Sequence, residues 1–208
     1  MTETGSNEIL ILGGARTPFA AWGGGRRGDG RPGGALKDLD PFDLAAVAVK
    51  GALERCAAAP DSVSTVVLGN AYAVGAHACY GGRYAALRAG LPESATGMTV
   101  NLACGSGLLA VMEAARAAQD GGVAAAAGAD CVSRLSRKDF IASFRDLSCG
   151  LSLGETVDRL ARARGVTREA ADRWALRSHE FALKARRGGR LAEVIVPGGP
   201  AGEDDAIG

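Results

Sequence analysis

Residues 100–112 read Val-Asn-Leu-Ala-Cys-Gly-Ser-Gly-Leu-Leu-Ala-Val-Met. An extended stretch from Gly97 to Leu102 leads into Cys104, and the pattern predicts a strand over 99–102. Gly105 and Gly107 permit a tight turn. The apolar residues that follow predict a helix over 106–119, with Leu108, Leu109, Val111, Met112 and Ala115 toward the core. One thiol therefore stands where a strand meets a helix start. Unbonded N–H groups and the positive end of the helix dipole lie at such a start. That setting favours thiolate, the nucleophilic form of cysteine. The leading expectation is covalent acyl transfer through Cys104. The competing reading is a small apolar side chain that only packs.

Working upstream, Ser64–Leu68 is apolar and β-branched and predicts a strand ending at Gly69-Asn70. A helix is expected over 82–89, stopped by Gly90 with Pro92 beyond. Asp40-Pro41 opens a helix over 41–58, with Asp40 as N-cap and Pro41 in the first helical position. Residues 23–34 are rich in Gly and Arg and read as a surface loop. Its Gly23, Gly25 and Gly28 match G-x-G-x-x-G, but no strand leads into it and no helix follows, so a dinucleotide site is rejected. Ala15-Arg-Thr-Pro-Phe19 is a loop, since Pro18 keeps Thr17 out of helix. Glu8–Leu12 predicts a buried strand.

Downstream, Val123–Ala127 is a short apolar run that reads as a buried strand. Alternation of strands and helices describes a layered α/β fold. Residues 131–153 carry little periodicity and read as loop. Helices follow over 155–163 and from the Thr167 cap to about Arg187, with Trp174, Ser178, Phe181, Ala182 and Ala185 on one face. Tyr84, Trp174 and Phe181 are read as core. Leu191–Val196 predicts a last strand, and 197–208 a polar tail.

The 208 residues are 47% hydrophobic and 23% charged, with a formal net charge of +1. That balance is ordinary for a globular chain and supplies no global field for nucleic acid or an anionic membrane. Five cysteines (56, 79, 104, 131, 149) are scattered without a C-x-x-C pair, so neither zinc nor thioredoxin-type chemistry is expected. Free thiols fit a reducing compartment, and the N-terminus does not resemble a leader peptide, so a cytoplasmic location is expected. No apolar run is long enough to span a bilayer.

Several segments resemble the N-terminal half of the thiolase family. They are 15–19, Arg83-Tyr-Ala-Ala-Leu-Arg-Ala-Gly-Leu-Pro92, Asn101-Leu-Ala-Cys-Gly-Ser-Gly-Leu-Leu-Ala-Val111, Ala127-Gly128, Leu153-Gly-Glu-Thr156, and the Thr167 helix through Ile195-Val-Pro197. Their order and spacing agree with the family over nearly the whole chain. The resemblance implies a layered αβα fold with a mixed sheet plus part of a helical loop subdomain, the C-terminal half missing. It divides the chain into a core domain (1–130), a partial loop subdomain (131–197) and a tail (198–208).

The same resemblance implies an acyltransferase acting on coenzyme A thioesters, with no bound cofactor and no metal. Cys104 would be the acyl-thioester nucleophile, and its backbone N–H one oxyanion donor. Ser152 and Leu153 stand where the family usually has His-Met, along the pantetheine path. Gly128-Ala-Asp-Cys-Val-Ser133 replaces the family's G-G-x-E-S-M-S. The family's second-half G-H-P-x-G, Asn and C-x-G-G-G are not in this sequence. The expected partner is therefore a complementary C-terminal-half chain or a second copy, with no nucleic acid and no membrane. The alternative is an inactive thiolase-like module that binds acyl-CoA or a subunit.

Three other features are weighed against this. Gly150-Leu-Ser-Leu-Gly154 matches G-x-S-x-G, with Asp158 or Asp172 and His179 as partners, but His179 falls within a helix. His77 and His179 read as surface residues, and Cys131 and Cys149 as packing residues. Arg159, Arg162, Arg164 and Arg168 read as an exposed helical face, with a CoA phosphate as the competing partner.

Overall fold

The computed structural model describes residues 8–23, 33–119, 121–142 and 144–205. The Gly/Arg loop from 24 to 32, with two of the three glycines of its G-x-G-x-x-G, lies outside them. Helix α1 (Pro41–Cys56) begins as expected, the Asp40 carboxylate accepting the Phe42 N–H at 2.9 Å. It ends where Ala57 turns left-handed, at φ 51°. Strand β1 (Val63–Gly69), helix α2 (Gly81–Arg88), strand β2 (Thr96–Val100), helix α3 (Ser106–Ala117) and strand β3 (Val123–Gly128) follow.

The three strands form a parallel sheet in the order β2-β1-β3. An antiparallel member, which a mixed sheet would add, is not among the described strands. Burial explains why β1 is central: every residue in it but Ser64 is buried. Val66 packs toward Ala46, Val49 and Leu53 of α1 and Ala86 of α2, while Val67 faces Ala110 and Ala114 of α3. Two helices thus cover one face and α3 the other, a three-layer αβα arrangement. Phe42 and Leu68, both fully buried, extend the first layer around Ala45 and Ala85.

Glycines set two of the close approaches. A Cβ on Gly97 of β2 would lie 2.2 Å from the Arg83 backbone of α2, and one on Gly82 would lie 2.3 Å from the Met98 carbonyl. Gly97 is therefore inside the strand. Strand β2 starts upstream of the expected 99–102 because its glycine marks a helix crossing rather than a break.

The buried face of α3 differs from expectation. Ser106, Ala110 and Ala114 point to the sheet, whereas Leu108, Val111 and Met112 are exposed, Leu108 by 69%. Small residues at i, i+4 and i+8 let the helix lie close over Gly69, where a Cβ would meet the Ser106 carbonyl at 2.5 Å.

Two expected strands do not form. Ile9–Leu12 has no neighbouring strand among the described residues and lies exposed, Ile11 by 89%. Its hydropathy suits a strand buried on both faces, but pairing needs a partner that none of the described segments supplies. Leu191–Val194 curls into turns closed by Val194 N–H to Leu191 O and Ile195 N–H to Leu191 O. Among the described residues only Ile195 of this stretch forms a bridge, parallel to Arg16. The Pro197–Asp205 stretch returns to the body. Arg16 makes a two-pronged ion pair with Asp204, both bonds 2.7 Å, and Asp204 also accepts the Phe19 N–H at 2.7 Å.

Residues 131–153 hold helix α4 (Arg137–Ala142), absent from the sequence reading. Phe140 docks it, with its ring 4.6 Å from Trp22 and 4.9 Å from Phe144. Helix α5 (Leu153–Ala163) starts at Ser152, which forms a capping box with Glu155. Helix α6 (Arg168–Arg187) starts at Thr167, whose hydroxyl accepts the Ala170 N–H. No residue of α5 or α6 is buried, so Trp174 and Phe181 are surface residues and not core.

Candidate active site

Parallel sheets present loops at the C-terminal ends of their strands, and ligands gather where the strand order reverses. Here the chain passes from β1 out to β2, then crosses over the sheet to β3. Cys104 lies on that second crossing, four residues after β2 ends and two before α3 begins. Its side chain is exposed.

The turn that carries it is tightly tied. Leu102 N–H donates to Ser106 Oγ at 2.9 Å, and the same hydroxyl donates to Ala103 O at 2.7 Å. Gly105 N–H reaches Leu102 O at 2.9 Å and Ser106 N–H reaches Ala103 O at 3.1 Å. Asn101 Oδ1 accepts the Ala103 N–H at 2.9 Å. These bonds hold Ala103 at φ 46°, in the left-handed region. For an alanine that conformation costs about 1–2 kcal/mol.

Behind the turn, the end of β1 and the segment after β3 are joined by a polar cluster. Asn70 is only 1% exposed and donates Nδ2 to Ala129 O at 2.8 Å and to Asp130 Oδ1 at 2.9 Å. Its Oδ1 is buried with no partner among the described residues. Asp130 also accepts N–H bonds from Ala71 at 3.2 Å and Tyr72 at 3.0 Å. Burial raises the Asp130 carboxyl above its usual range, against the pull of those N–H donors. From the sequence this stretch stands out only as a departure from a family motif. The signal it offered was an Asn just after one strand and an Asp just after another.

The other expected residues fall elsewhere. Ser152 is the N-cap of α5: its hydroxyl and N–H both donate to Glu155 Oε2 at 2.8 Å. Leu153 is the first residue of that helix and half exposed. No hydrogen bond among the described residues joins either one to the Cys104 turn. The capping role occupies the Ser152 hydroxyl, and His179 is an exposed residue of α6, so the G-x-S-x-G reading gains no support. His77 stacks on Tyr84 with centroids 3.9 Å apart and shares a 2.8 Å bond with Tyr80. Cys131 is buried against the Lys37 carbonyl, as a packing residue should be, and burial pushes its thiol up. Cys149 is exposed, which corrects its reading as a packing residue.

Among the described residues no group of three His, Cys, Asp or Glu side chains is placed to hold a metal. No described helix is long and apolar enough to cross a membrane. A cavity of about 340 Å³ lies by Leu53, Glu54, Ala57 and Pro60. It sits beyond the N-terminal end of β1, at the opposite end of the sheet from Cys104.

The family described as "Thiolase, N-terminal domain" matches residues 9–206. The chain is 33% identical to the acetyl-CoA acetyltransferase of Cupriavidus necator over 210 aligned residues, covering 91% of this chain and 51% of that protein. It is 35% identical to the 3-oxoadipyl-CoA/3-oxo-5,6-dehydrosuberyl-CoA thiolase of Escherichia coli, with the same coverage. Among solved structures, human mitochondrial 3-ketoacyl-CoA thiolase in complex with CoA superposes with a TM-score of 0.80 at 25% identity. That superposition covers 89% of this chain and 50% of the human one. The chain spans about half the length of the curated relatives it matches. From the match along nearly its whole length, the chain belongs to the thiolase family, in the part that forms that family's N-terminal domain.

Proposed function

We propose that this chain carries the nucleophile of a thiolase-type acyltransferase. The observation that carries the reading is the exposed Cys104 on a pinned turn at a helix start, within a family match of 9–206. Cys104 attacks the carbonyl carbon of an acyl-CoA as the thiolate, having first lost its proton to solvent or to a base. The C–S bond to coenzyme A then breaks, CoA leaves as the thiolate, and the acyl group remains as a Cys104 thioester. Transfer to a second acyl-CoA, or thiolysis in reverse, needs a proton acceptor for that substrate and a second oxyanion donor. In this reading a complementary C-terminal half supplies both. Exposed Leu102, Leu108, Val111 and Met112 beside the turn support a covering partner. Ser152 and Leu153 are assigned to the pantetheine path.

Intact mass after incubation with acetyl-CoA tests the reading. An acetyl adduct is expected, localised to Cys104, lost in Cys104→Ala and kept in Cys149→Ala. Binding of acetyl-CoA with no adduct, alone or with a complementary second half present, would favour an inactive acyl-CoA-binding module instead.

A further inference from the structure

We propose that Asn101 and Asp130 are positioning residues for Cys104, which together hold the left-handed turn that aims its sulfur. The inference rests on Cys104 being the reacting group. Ala103 precedes that sulfur in a backbone conformation that alanine disfavours, so bonds to its neighbours must maintain it. Ser106 supplies the ties on the helix side. Asn101 supplies the tie on the strand side, accepting the Ala103 N–H.

Asn101 lies on the surface, where an asparagine side chain is ordinarily free to rotate. What fixes it is its Nδ2, which donates to Ala71 O at 2.9 Å. Ala71 is in turn fixed by Asp130, whose carboxylate gathers the N–H groups of Ala71 and Tyr72 and the amide of Asn70. The connection therefore runs from the end of β3, through the loop after β1, to the turn after β2. The buried Asn70 Oδ1, without a partner among the described residues, fits this account. Rotating that amide to satisfy the oxygen would lose the bonds to Ala129 O and Asp130, so the relay keeps its orientation at the expense of one acceptor. Neither Asn101 nor Asp130 needs to touch an acyl group to act this way.

The test is alkylation of the whole chain by iodoacetamide, followed site by site through peptide mass. Exposed Cys79 and Cys149 serve as references within the same molecule. The pinned turn places the Cys104 sulfur at the head of α3, where the N-terminal end of the helix favours the negative charge of the reacting sulfur, so Asn101→Ala should slow Cys104 about fivefold against Cys149. The melting temperature should fall by no more than about 4 °C, since Asn101 is exposed and its loss is local. Asp130→Asn keeps some acceptor capacity and should slow it less. Adding Ala103→Gly to Asn101→Ala should recover most of the loss, because glycine holds a positive φ without a Cβ penalty. A Cys104 to Cys149 rate ratio unchanged in both single variants overturns the proposal, as does a loss that the glycine fails to recover. Alkylation involves no acyl-CoA. A responsive ratio without an acetyl adduct would therefore refute the functional reading alone, and an adduct with an unresponsive ratio the positioning alone.

Discussion

Two regions of this chain are both helical by local rules, yet only one has a core. In residues 36–131 helices α1, α2 and α3 lay apolar or small-residue faces on β1, and Phe42, Val66 and Leu68 are sealed from solvent. In residues 152–187 both helices carry side-chain caps, Ser152–Glu155 on α5 and Thr167 on α6, whereas in the core region only α1 does. Arg168 adds an i,i+4 ion pair to Asp172. Yet the apolar stripe of Leu153, Val157 and Leu160 faces outward, and Trp174 is 69% exposed. A helix can thus be specified by its ends and its own side chains. Burial is a separate matter, because it requires another surface. The exposed stripe on α3, beside the candidate nucleophile, belongs with α5 and α6 in this respect.

The comparison can be broken by substitution. Phe42→Ala removes a fully buried ring and should cost about 3–5 kcal/mol in urea unfolding. Phe181→Ala removes a ring of the same size from exposed α6 and should cost no more than about 0.5 kcal/mol. Equal losses would mean that the α6 face is covered in solution, by a second copy or by another chain.

A second measurement sharpens the boundary between the regions. The Arg16–Asp204 pair clips the segment after α6 onto the loop before α1. The bond from Arg16 holds the Asp204 carboxyl below its usual range, with help from the Phe19 N–H and against burial. A depressed folded-state value stabilises above the unfolded carboxyl value, and the contribution fades as pH falls through the folded one. Stability should therefore drop with acid in the parent chain and drop less in Asp204→Asn. Near neutral pH that variant should already have lost about 1.5–3 kcal/mol. Parallel acid profiles for the two proteins would show that the clip does not contribute.

The smallest effect is local. Ser152→Ala removes the α5 capping box and should cost that helix about 1 kcal/mol. Amide exchange should speed up across residues 153–163 while β1 keeps its protection. Loss of protection in β1 as well would join the two regions into one cooperative unit.

Legibility in the sequence followed the distance over which each signal acts. The Asp40-Pro41 start of α1, the Thr167 start of α6 and the strand-turn-helix passage at Cys104 were all readable, because each is set by residues a few positions apart. The S-x-x-E spacing at Ser152 is an equally local signal, for the capping bond to Glu155, although the expected role of Ser152 lies on the pantetheine path. The site's deeper parts were not readable. Asn70 meets Asp130 across 60 residues, and Arg16 meets Asp204 across 188.

By itself the sequence determined the capped starts of α1 and α6, that Ser64–Leu68 would be a strand, and that a single thiol would stand at the head of α3, while the burial it implied for Val123–Ala127 is not found in β3. The tertiary structure alone decided that Ala110 and Ala114, rather than Leu108 and Met112, meet the sheet, and that Ile9–Leu12 pairs with no described strand. The reason is physical. A cap or a turn is satisfied by neighbours in the chain, whereas a strand's hydrogen bonds and an apolar side chain's burial depend on a surface brought from far along it.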